Sequence, residues 1–231
     1  VTTLRLWDRS PRAVQFAAGR ARQKYPGLAV QSGLPDSPAT LLISHVLTEL
    51  TPEQTEALAD FAAQAAAVIW IEPGTYAASL TLIAIRERLR DRLQIVAPCT
   101  HQTRCGILAP ENERHWCHHF AAPPPGIFQD GNWARFARTL GIDLRDLSLS
   151  FLVLDQRPAP PTPPGATRVI GHPRVYKPHA LLLGCDADGV CERRLTKRAL
   201  PEAYRQLKKG RCDPLQIWRC QGDEIIETRS L

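Results

Sequence analysis

The spacing of four cysteines constrains the fold of this chain more than any other feature. Three lie in one short segment and the fourth lies far downstream: Cys99, Cys105, Cys117 and Cys185, spaced C-x5-C-x11-C-x67-C. A metal or iron–sulfur centre needs soft thiolate ligands that converge on one point. If these four converge, the chain between Cys117 and Cys185 must fold back and close a long loop.

The composition favours thiols used as ligands over disulfide partners. The chain has 231 residues and seven cysteines, and its first residues, VTTLRLWDRS, lack the basic region of a secretory signal. We therefore expect a reducing compartment, the cytoplasm of a bacterium or the mitochondrion of a eukaryote. For Cys191, Cys212 and Cys220, burial as unpaired thiols is an equal alternative. No apolar run approaches the roughly 18 residues that cross a bilayer, so we expect no membrane partner.

Short apolar runs alternate with helical patterns in the first half of the chain. Strand-like segments include LRLWD, ATLLIS and AVIWIEP, and Thr51 with Gln54 forms a capping-box pattern before an amphipathic stretch. This alternation predicts an α/β protein with a parallel, doubly wound sheet and right-handed crossovers. We assign residues 1–157 to this domain, including a cysteine-rich loop at 97–120.

The remaining residues, 158–231, have a β-like and basic character. The segment HALLLGCDADGVCERRLTK predicts a β-hairpin with Asp188-Gly189 at its turn, so we expect a small hairpin appendage. The net charge is +6, and eight Lys/Arg but only one acid lie between Arg193 and Arg211. Such a cluster indicates a nucleic-acid surface, although a solvated helix face is the alternative. The predicted RNA-binding residues are Arg193, Arg194, Lys197, Arg198, Lys208 and Lys209.

Asp8 is a candidate cofactor-binding residue. It ends the strand-like segment LRLWD, and an acid in that position of a nucleotide-binding half can bond a ribose. The alternative is a helix N-cap or surface acid. A Gly-rich turn should precede this strand, so we expect an upstream region with a first strand in the natural protein.

Several segments together carry a resemblance to a known family. LRLWDRSPRAVQFA, LLISHVLTELT and AVIWIEPGT resemble the later strands of a class I S-adenosylmethionine-dependent methyltransferase. VAPCTHQTRCGIL, HWCHHF and the late segment around RVIGHPRVYKPHALLLGCDADGVCERRLTKR are more specific. They resemble the Rsm22 family, the methyltransferase-like proteins of the mitochondrial small ribosomal subunit and their bacterial relatives. The resemblance runs from Leu4 to Lys209, and it implies a Rossmann-like sheet that here lacks its first strand.

The resemblance implies a four-iron iron–sulfur cluster held by Cys99, Cys105, Cys117 and Cys185. Cys191 competes for the fourth place, and we choose Cys185 because it precedes the Asp-x-Asp-Gly turn. The chain departs from the family where Gly106 replaces the proline that often follows the second cysteine. From the residues alone, zinc remains an equal alternative, with nearby imidazoles as further ligands. These imidazoles belong to His101, His115, His118 and His119.

The resemblance also implies a role in assembly of the small ribosomal subunit, with binding to its RNA. The first alternative is an active methyltransferase acting on RNA or protein, with S-adenosylmethionine bound in the full-length protein. Against it, Ser44-His45-Val46-Leu47 replaces the Asn/Asp-Pro-Pro-Tyr signature of amino-methyltransferases. The second alternative is a zinc protein that binds nucleic acid. A catalytic Cys117 paired with His115 or His118 is disfavoured, because sequence neighbours rarely have that geometry.

Overall fold

The computed structural model describes residues 1–124, 126–144 and 146–231. The chain forms two compact units, residues 1–39 and 40–231. None of the described helices is both long and apolar enough to cross a membrane.

The smaller unit is a strand–helix–strand motif. β1 (Thr3–Leu6) and β2 (Ala29–Ser32) pair in parallel, and α1 (Pro11–Lys24) connects them. Ser10 caps α1, since its side chain accepts a hydrogen bond from a backbone N–H of the first turn, and the proline that begins the helix has no N–H to leave unpaired. The helix signal in the sequence is therefore confirmed here.

The larger unit contains a sheet with its helices, followed by a barrel. The elements of the first part are β3 (Thr40–Ser44), α2 (Pro52–Ala62), β4 (Ala67–Pro73), α3 (Tyr76–Leu89), β5 (Gln94–Ala97), β6 (His119–Ala121), α4 (Gly131–Leu140) and β7 (Leu147–Asp155). Short 3-10 turns lie at Leu47–Glu49, Gly106–Leu108, Pro110–Asn112 and Ile127–Gln129. The elements of the barrel part are β8 (Ala166–Val175), β9 (His179–Asp186), β10 (Gly189–Thr196), α5 (Pro201–Lys208), β11 (Leu215–Gln221) and β12 (Glu224–Ser230).

The sheet is mixed, with strand order β3-β4-β7-β5 and β6 paired to β7. β3 and β4 are parallel, whereas β7 runs antiparallel to β4, β5 and β6. The α/β class is confirmed, but the expectation of a wholly parallel sheet is wrong. Parallel pairing needs a crossover connection, usually a helix, between neighbouring strands. β7 is instead reached through the cysteine-rich loop and β6, and it enters the sheet in the opposite direction.

One face of this sheet carries the hydrophobic core. Trp70 and Leu152 lie fully buried beneath α2 and α3, which contribute Ala62 and Leu89. The predicted capping box begins α2, because the Thr51 N–H donates to the Gln54 side chain at 2.9 Å and the Gln54 N–H donates to the Thr51 hydroxyl at 3.3 Å. The local start signal and the buried face together fix this helix against the sheet.

The second part of the unit is a closed barrel of five strands, ordered β10-β12-β11-β8-β9. The predicted hairpin is confirmed as β9 and β10, with Asp186 paired to Gly189. The expectation of only a hairpin appendage is wrong, because β8, β11 and β12 close the sheet on itself. Closure removes the unpaired edges that a lone hairpin would expose. Tyr204 and Leu207 of α5 pack into the barrel core together with Trp218.

Candidate metal centre

Three of the predicted thiols border one small cavity at the carboxyl end of β5. Cys99, Cys105 and Cys117 line this cavity, whose volume is about 30 Å³. Cys99 follows β5 after Pro98, and the carboxyl ends of strands are where α/β sheets place their ligands. The cysteine-rich loop therefore leaves the carboxyl end of β5 and folds back against that end.

Buried polar contacts hold the loop in this position. The backbone N–H of Cys105 donates to a carboxylate oxygen of Glu87 at 3.0 Å. The carbonyl oxygen of Cys117 accepts two hydrogen bonds, from the hydroxyls of Ser79 at 2.8 Å and Ser150 at 2.7 Å. These bonds anchor the loop to α3 and β7, so the thiol positions depend on the sheet.

The barrel contributes the fourth thiol. Cys185 lies on β9, is 7% exposed, and packs in one apolar cluster with Cys105 and Cys117. The thiols of Cys99 and Cys105 both influence its ionisation, as only neighbouring groups do. The structure thus brings together the four cysteines that the sequence analysis selected.

The barrel and the cysteine-rich loop meet at very short range. A Cβ at Gly106 would lie 2.7 Å from the backbone N of Val190 and 2.9 Å from Cα of Gly189. The amide nitrogen of Asn112 donates to the carbonyl oxygens of Gly106 at 2.9 Å and Val190 at 3.3 Å. Glycine at this position, where the chain departs from the family, permits the close approach of two backbones.

Two arginines lie beside the thiols, Arg86 buried and Arg168 half-buried. Nε of Arg86 contacts Sγ of Cys99 at 3.3 Å, and Nε of Arg168 donates to the carbonyl oxygen of Pro98 at 2.8 Å. Burial works to lower the pKa of Arg86, but Cys99, Cys105 and Glu87 outweigh it and the pKa is raised. Burial lowers the pKa of Arg168, with the thiols opposing that shift. The guanidinium groups of these two arginines can therefore stabilise negative charge on the cysteine sulfurs.

Burial favours the neutral, protonated form of three of the thiols. Burial raises the pKa of Cys105, Cys117 and Cys185, and the neighbouring thiols add to that rise. A metal centre reverses this situation, because a coordinating thiol is deprotonated and metal binding releases protons.

Two of the four nearby histidines contact thiols. Nε2 of His119 lies 3.5 Å from Sγ of Cys117, and Nε2 of His101 lies 3.6 Å from Sγ of Cys185. Burial, then Arg168 and His118, lower the pKa of His119 to about 4. A neutral imidazole beside a protonated thiol is the opposite of a catalytic thiolate–imidazolium pair.

The possible metal donors at this site are three thiols of the cysteine-rich loop and one thiol of the barrel. Within the described ranges, no three His, Cys, Asp or Glu side chains are already arranged around a single metal position. A tetrahedral zinc site requires sulfurs at about 2.3 Å from one point. Here three thiols line the cavity, and Cys185 packs against Cys105 and Cys117 from the barrel side. The buried hydroxyl of Thr100, next to Cys99, has no hydrogen-bond partner among the described atoms.

A comparison with protein families identifies the kind of protein to which this site belongs. Residues 19–214 match the family model described as mitochondrial small ribosomal subunit Rsm22. The chain belongs to the Rsm22 family. That match spans the sheet, the cysteine-rich loop and most of the barrel, and it establishes the family link to the small ribosomal subunit. A search of curated proteins finds no significant match.

The other cysteines of this Rsm22-family chain lie elsewhere. Cys191 is exposed, and it lies on the face of β10 that also carries the core residue Leu195. Cys220 is exposed on β11, and Cys212 is half-buried near the barrel core. On geometry, Cys185 rather than Cys191 faces the thiol triad.

The predicted RNA-binding residues divide into two groups. Arg193, Arg194, Lys197 and Arg198 lie at the end of β10 and just beyond it, where Nη1 of Arg193 donates to the carbonyl oxygen of Gly222 at 3.0 Å. Lys208 and Lys209 lie at the carboxyl end of α5, about 12 Å along the helix from its start. The charge run in the sequence is therefore not one continuous patch in the structure.

Asp8 has a local structural partner in the smaller unit. Its carboxylate accepts a hydrogen bond from the backbone N–H of Ser10 at 2.6 Å, just before α1. Asp8 is thus an exposed acid, one of the two alternatives that the sequence left open, whereas the N-cap of α1 is Ser10. A cofactor role for Asp8 stays a prediction.

Sequence reasoning missed the polar residues that surround the thiols. Arg86 lies in the run IRERLR, and nothing in that run separates it from Arg88, which pairs with Glu56 and Asp60 on the surface. Only the orientation of α3 buries Arg86. Helical periodicity could not have identified it, because the polar and apolar residues of α3 are not separated onto opposite faces.

Proposed function

We propose that this Rsm22-family protein is an assembly or translation factor of the small ribosomal subunit, with a methyltransferase-like fold. In this proposal it binds ribosomal RNA and an iron–sulfur cluster. The observation that carries the proposal is that three cysteines of one loop line a single cavity and a fourth, from a distant segment, packs against two of them. The family description favours the mitochondrial setting of the two that we predicted.

Cys99, Cys105, Cys117 and Cys185 would hold the cluster. When bound, a four-iron cluster supplies covalent iron–sulfur links between the loop and the barrel and a centre that can carry one electron. Arg86 and Arg168 offset the negative charge of the thiolates, and the apolar surroundings limit contact with water. The resemblance to the Rsm22 family, rather than the geometry of the thiols, favours a multi-iron cluster over a single zinc ion.

The sheet supports the methyltransferase-like part of the proposal. Parallel β3 and β4 continue into β5, with the later strand β7 inserted antiparallel between β4 and β5. This order is compatible with the later half of a methyltransferase-like sheet. Binding of S-adenosylmethionine belongs to the alternative enzymatic function, and no contact described for residues 1–124, 126–144 and 146–231 favours it over the assembly role.

The test of the cluster is purification of the protein without oxygen, followed by iron, sulfide and zinc analysis. We expect a brown protein with about four irons and four sulfides per chain. Cys185→Ser should remove most of the iron, because one of the four ligands is lost. Cys191→Ser is the matched control, since its thiol is exposed and faces away from the triad.

Two results would contradict this assignment. Stoichiometric zinc without sulfide would replace the cluster with the zinc alternative. Loss of iron in Cys191→Ser, with retention of iron in Cys185→Ser, would identify Cys191 rather than Cys185 as the fourth ligand.

A further inference from the structure

The barrel has the connectivity of an oligonucleotide-binding fold. Its five strands run β8, β9, β10, β11 and β12, its helix α5 lies between the third and fourth, and its third and fifth strands close the barrel in parallel. β8 has an irregular register between Ile170 and Arg174, where the strand bends. Barrels of this kind bind oligonucleotides on the face of their second and third strands, between the loops that follow the first and fourth.

The outer face of β9 and β10 is therefore the surface to examine. Side chains alternate across a strand, so residues next to the core positions Ala180, Leu182 and Leu195 point outward. We call the outward set the hairpin face. Its members are His179, Leu181, Leu183 and Cys185 on β9, and Val190, Glu192, Arg194 and Thr196 on β10.

An aromatic platform stands at one end of the hairpin face. The rings of Tyr176 and His179 are stacked, with centroids 5.1 Å apart and an angle of 27° between planes. Tyr176 is 45% exposed, so part of the stacked pair is accessible to solvent. An exposed, pre-stacked ring is what an unpaired base needs in order to stack on a protein.

The loop that carries Tyr176 is fixed rather than free. The Tyr204 hydroxyl of α5 donates to the carbonyl oxygens of Tyr176 at 2.6 Å and Lys177 at 3.1 Å. The backbone N–H of Lys197 donates to the carbonyl oxygen of Pro178 at 2.9 Å. The platform is thus preorganised, and ordering it on binding costs little entropy.

Positive charge surrounds the platform. Lys177 lies in the same loop, and Lys197 and Arg198 follow the neighbouring strand end and are exposed. The acids nearby are already engaged, since Glu192 pairs with Arg174, and Glu224 accepts from Thr196 at 2.8 Å. Cations beside a stacking ring match a phosphate backbone that runs past an unpaired base.

We infer that the platform end of the hairpin face binds single-stranded RNA, with a base on Tyr176 and phosphates on Lys177, Lys197 and Arg198. This inference rests on the RNA part of the proposed function and narrows it to unpaired RNA at one surface. It adds Tyr176, His179 and Lys177 to the residues that the charge pattern selected. It assigns Lys208 and Lys209 no direct part.

The test uses fluorescence anisotropy with the full chain, purified without oxygen. The probes are a labelled single-stranded RNA of about 12 nucleotides, within the range that one such barrel covers, the same strand as a duplex, and a DNA strand of equal sequence. We expect the wild type to bind the single strands more tightly than the duplex. Tyr176→Ala should weaken single-strand binding about tenfold, whereas Tyr176→Phe should retain it because the ring is kept.

Phe136→Ala is the matched control, because Phe136 is an aromatic of similar exposure, 49%, on α4. Unchanged thermal melting of Tyr176→Ala would exclude unfolding as the cause of its weaker binding. Equal single-strand affinity in Tyr176→Ala and wild type would overturn the inference while leaving an RNA role at another surface. Failure of the wild type to bind these probes and a folded small-subunit RNA would overturn the RNA part of the proposed function as well.

Discussion

The two ends of the hairpin face have opposite environments. At the thiol end, Cys185 and Val190 are each 7% exposed and packed against the cysteine-rich loop. At the platform end, Tyr176 is 45% exposed and its loop is held only by the barrel itself. The ends are about 20 Å apart along β9, from Cys185 to His179. The same two strands therefore provide an anchor at one end and an accessible surface at the other.

This difference shows how a closed barrel can serve two purposes. Its strands follow one another around a closed ring, in which the single pair Arg194 and Glu224 joins β10 to β12. Contacts at the thiol end then set its position against the cysteine-rich loop. Changes at the thiol end should alter stability and cluster content, and changes at the platform end should alter only RNA binding.

The largest effect is expected for Gly106→Ala at the thiol end. The new Cβ would collide with backbone atoms of the β9–β10 turn, which cannot move aside as a flexible side chain would. We expect a loss of about 3 kcal/mol in the free energy of unfolding, a drop of about 6–12 °C in melting temperature, and lower iron content. Thermal denaturation and iron analysis measure these effects.

Gly131→Ala is the control for that substitution, because a Cβ there meets nothing within 4 Å. It should melt close to the wild type. A melting temperature for Gly106→Ala within 2 °C of the wild type would show that the two backbones can separate at about no cost.

The next largest effect is expected for Asn112→Ala. Its amide bridges the loop and β10, and its removal leaves two buried carbonyl oxygens with one donor fewer. We expect a loss of about 2 kcal/mol in the free energy of unfolding, measured by urea denaturation. Single-strand RNA affinity of the folded variant should stay within about twofold of the wild type, since Tyr176 is untouched. A large loss of RNA affinity would show that the thiol end and the platform end are energetically coupled. It would contradict the view that the two ends act separately.

A smaller effect is expected for Arg194→Ala, which lies between the two ends. Its guanidinium is 4.0 Å from the carboxylate of Glu224, so only part of its charge is available to RNA. Affinity for single-stranded RNA should fall about threefold at low salt, and the slope of log K against log salt should decrease by about 1. Arg219→Ala is the control, because Arg219 pairs with Glu227 on another strand. Equal slopes in the wild type, Arg194→Ala and Arg219→Ala would show that Arg194 does not belong to the RNA-binding surface.

The smallest effect is expected at Asp155, which belongs to neither end. Hydrogen bonds from Arg157 lower the pKa of its carboxylate from 3.8 to about 2. A carboxylate whose pKa is lower in the folded state stabilises the protein above pH 4, and that contribution fades as pH falls toward 2. Asp155→Asn should therefore lose a little stability at neutral pH and approach the wild type in acid. A stability difference between Asp155→Asn and the wild type that grows as the pH falls would contradict a stabilising interaction between Asp155 and Arg157.

Local elements of the fold were predictable from the sequence, whereas their pairing was not. The capping residues Thr51 and Gln54 and the Asp188-Gly189 turn carry strong short-range signals. The direction of β7 depends on the loop before it, which no periodicity reports. Closure of the barrel was missed because the sequence predicts only one hairpin within residues 158–231 and gives no strand signal for β11, which carries Trp218. A buried Trp218 becomes evident only when the facing strands are known.

The thiol grouping could be predicted only through the family resemblance. The spacing C-x5-C-x11-C-x67-C is compatible with several kinds of site, and it does not distinguish Cys185 from Cys191. Strand alternation separates them, because β9 and β10 present the two thiols to different faces. The platform of Tyr176 and His179 has no sequence signal at all, since it arises from a three-residue loop between paired strands.

The wide separation of the thiols along the chain also has a consequence in time. During synthesis Cys117 leaves the ribosome well before β12, which closes the barrel around the strand that carries Cys185. At about 5–20 residues per second, the roughly 110 intervening residues take on the order of 10 s to appear. For that interval a nascent chain has three thiols and no fourth partner in place. The four thiols can therefore come together in the closed barrel only after the ribosome has synthesised all of its strands.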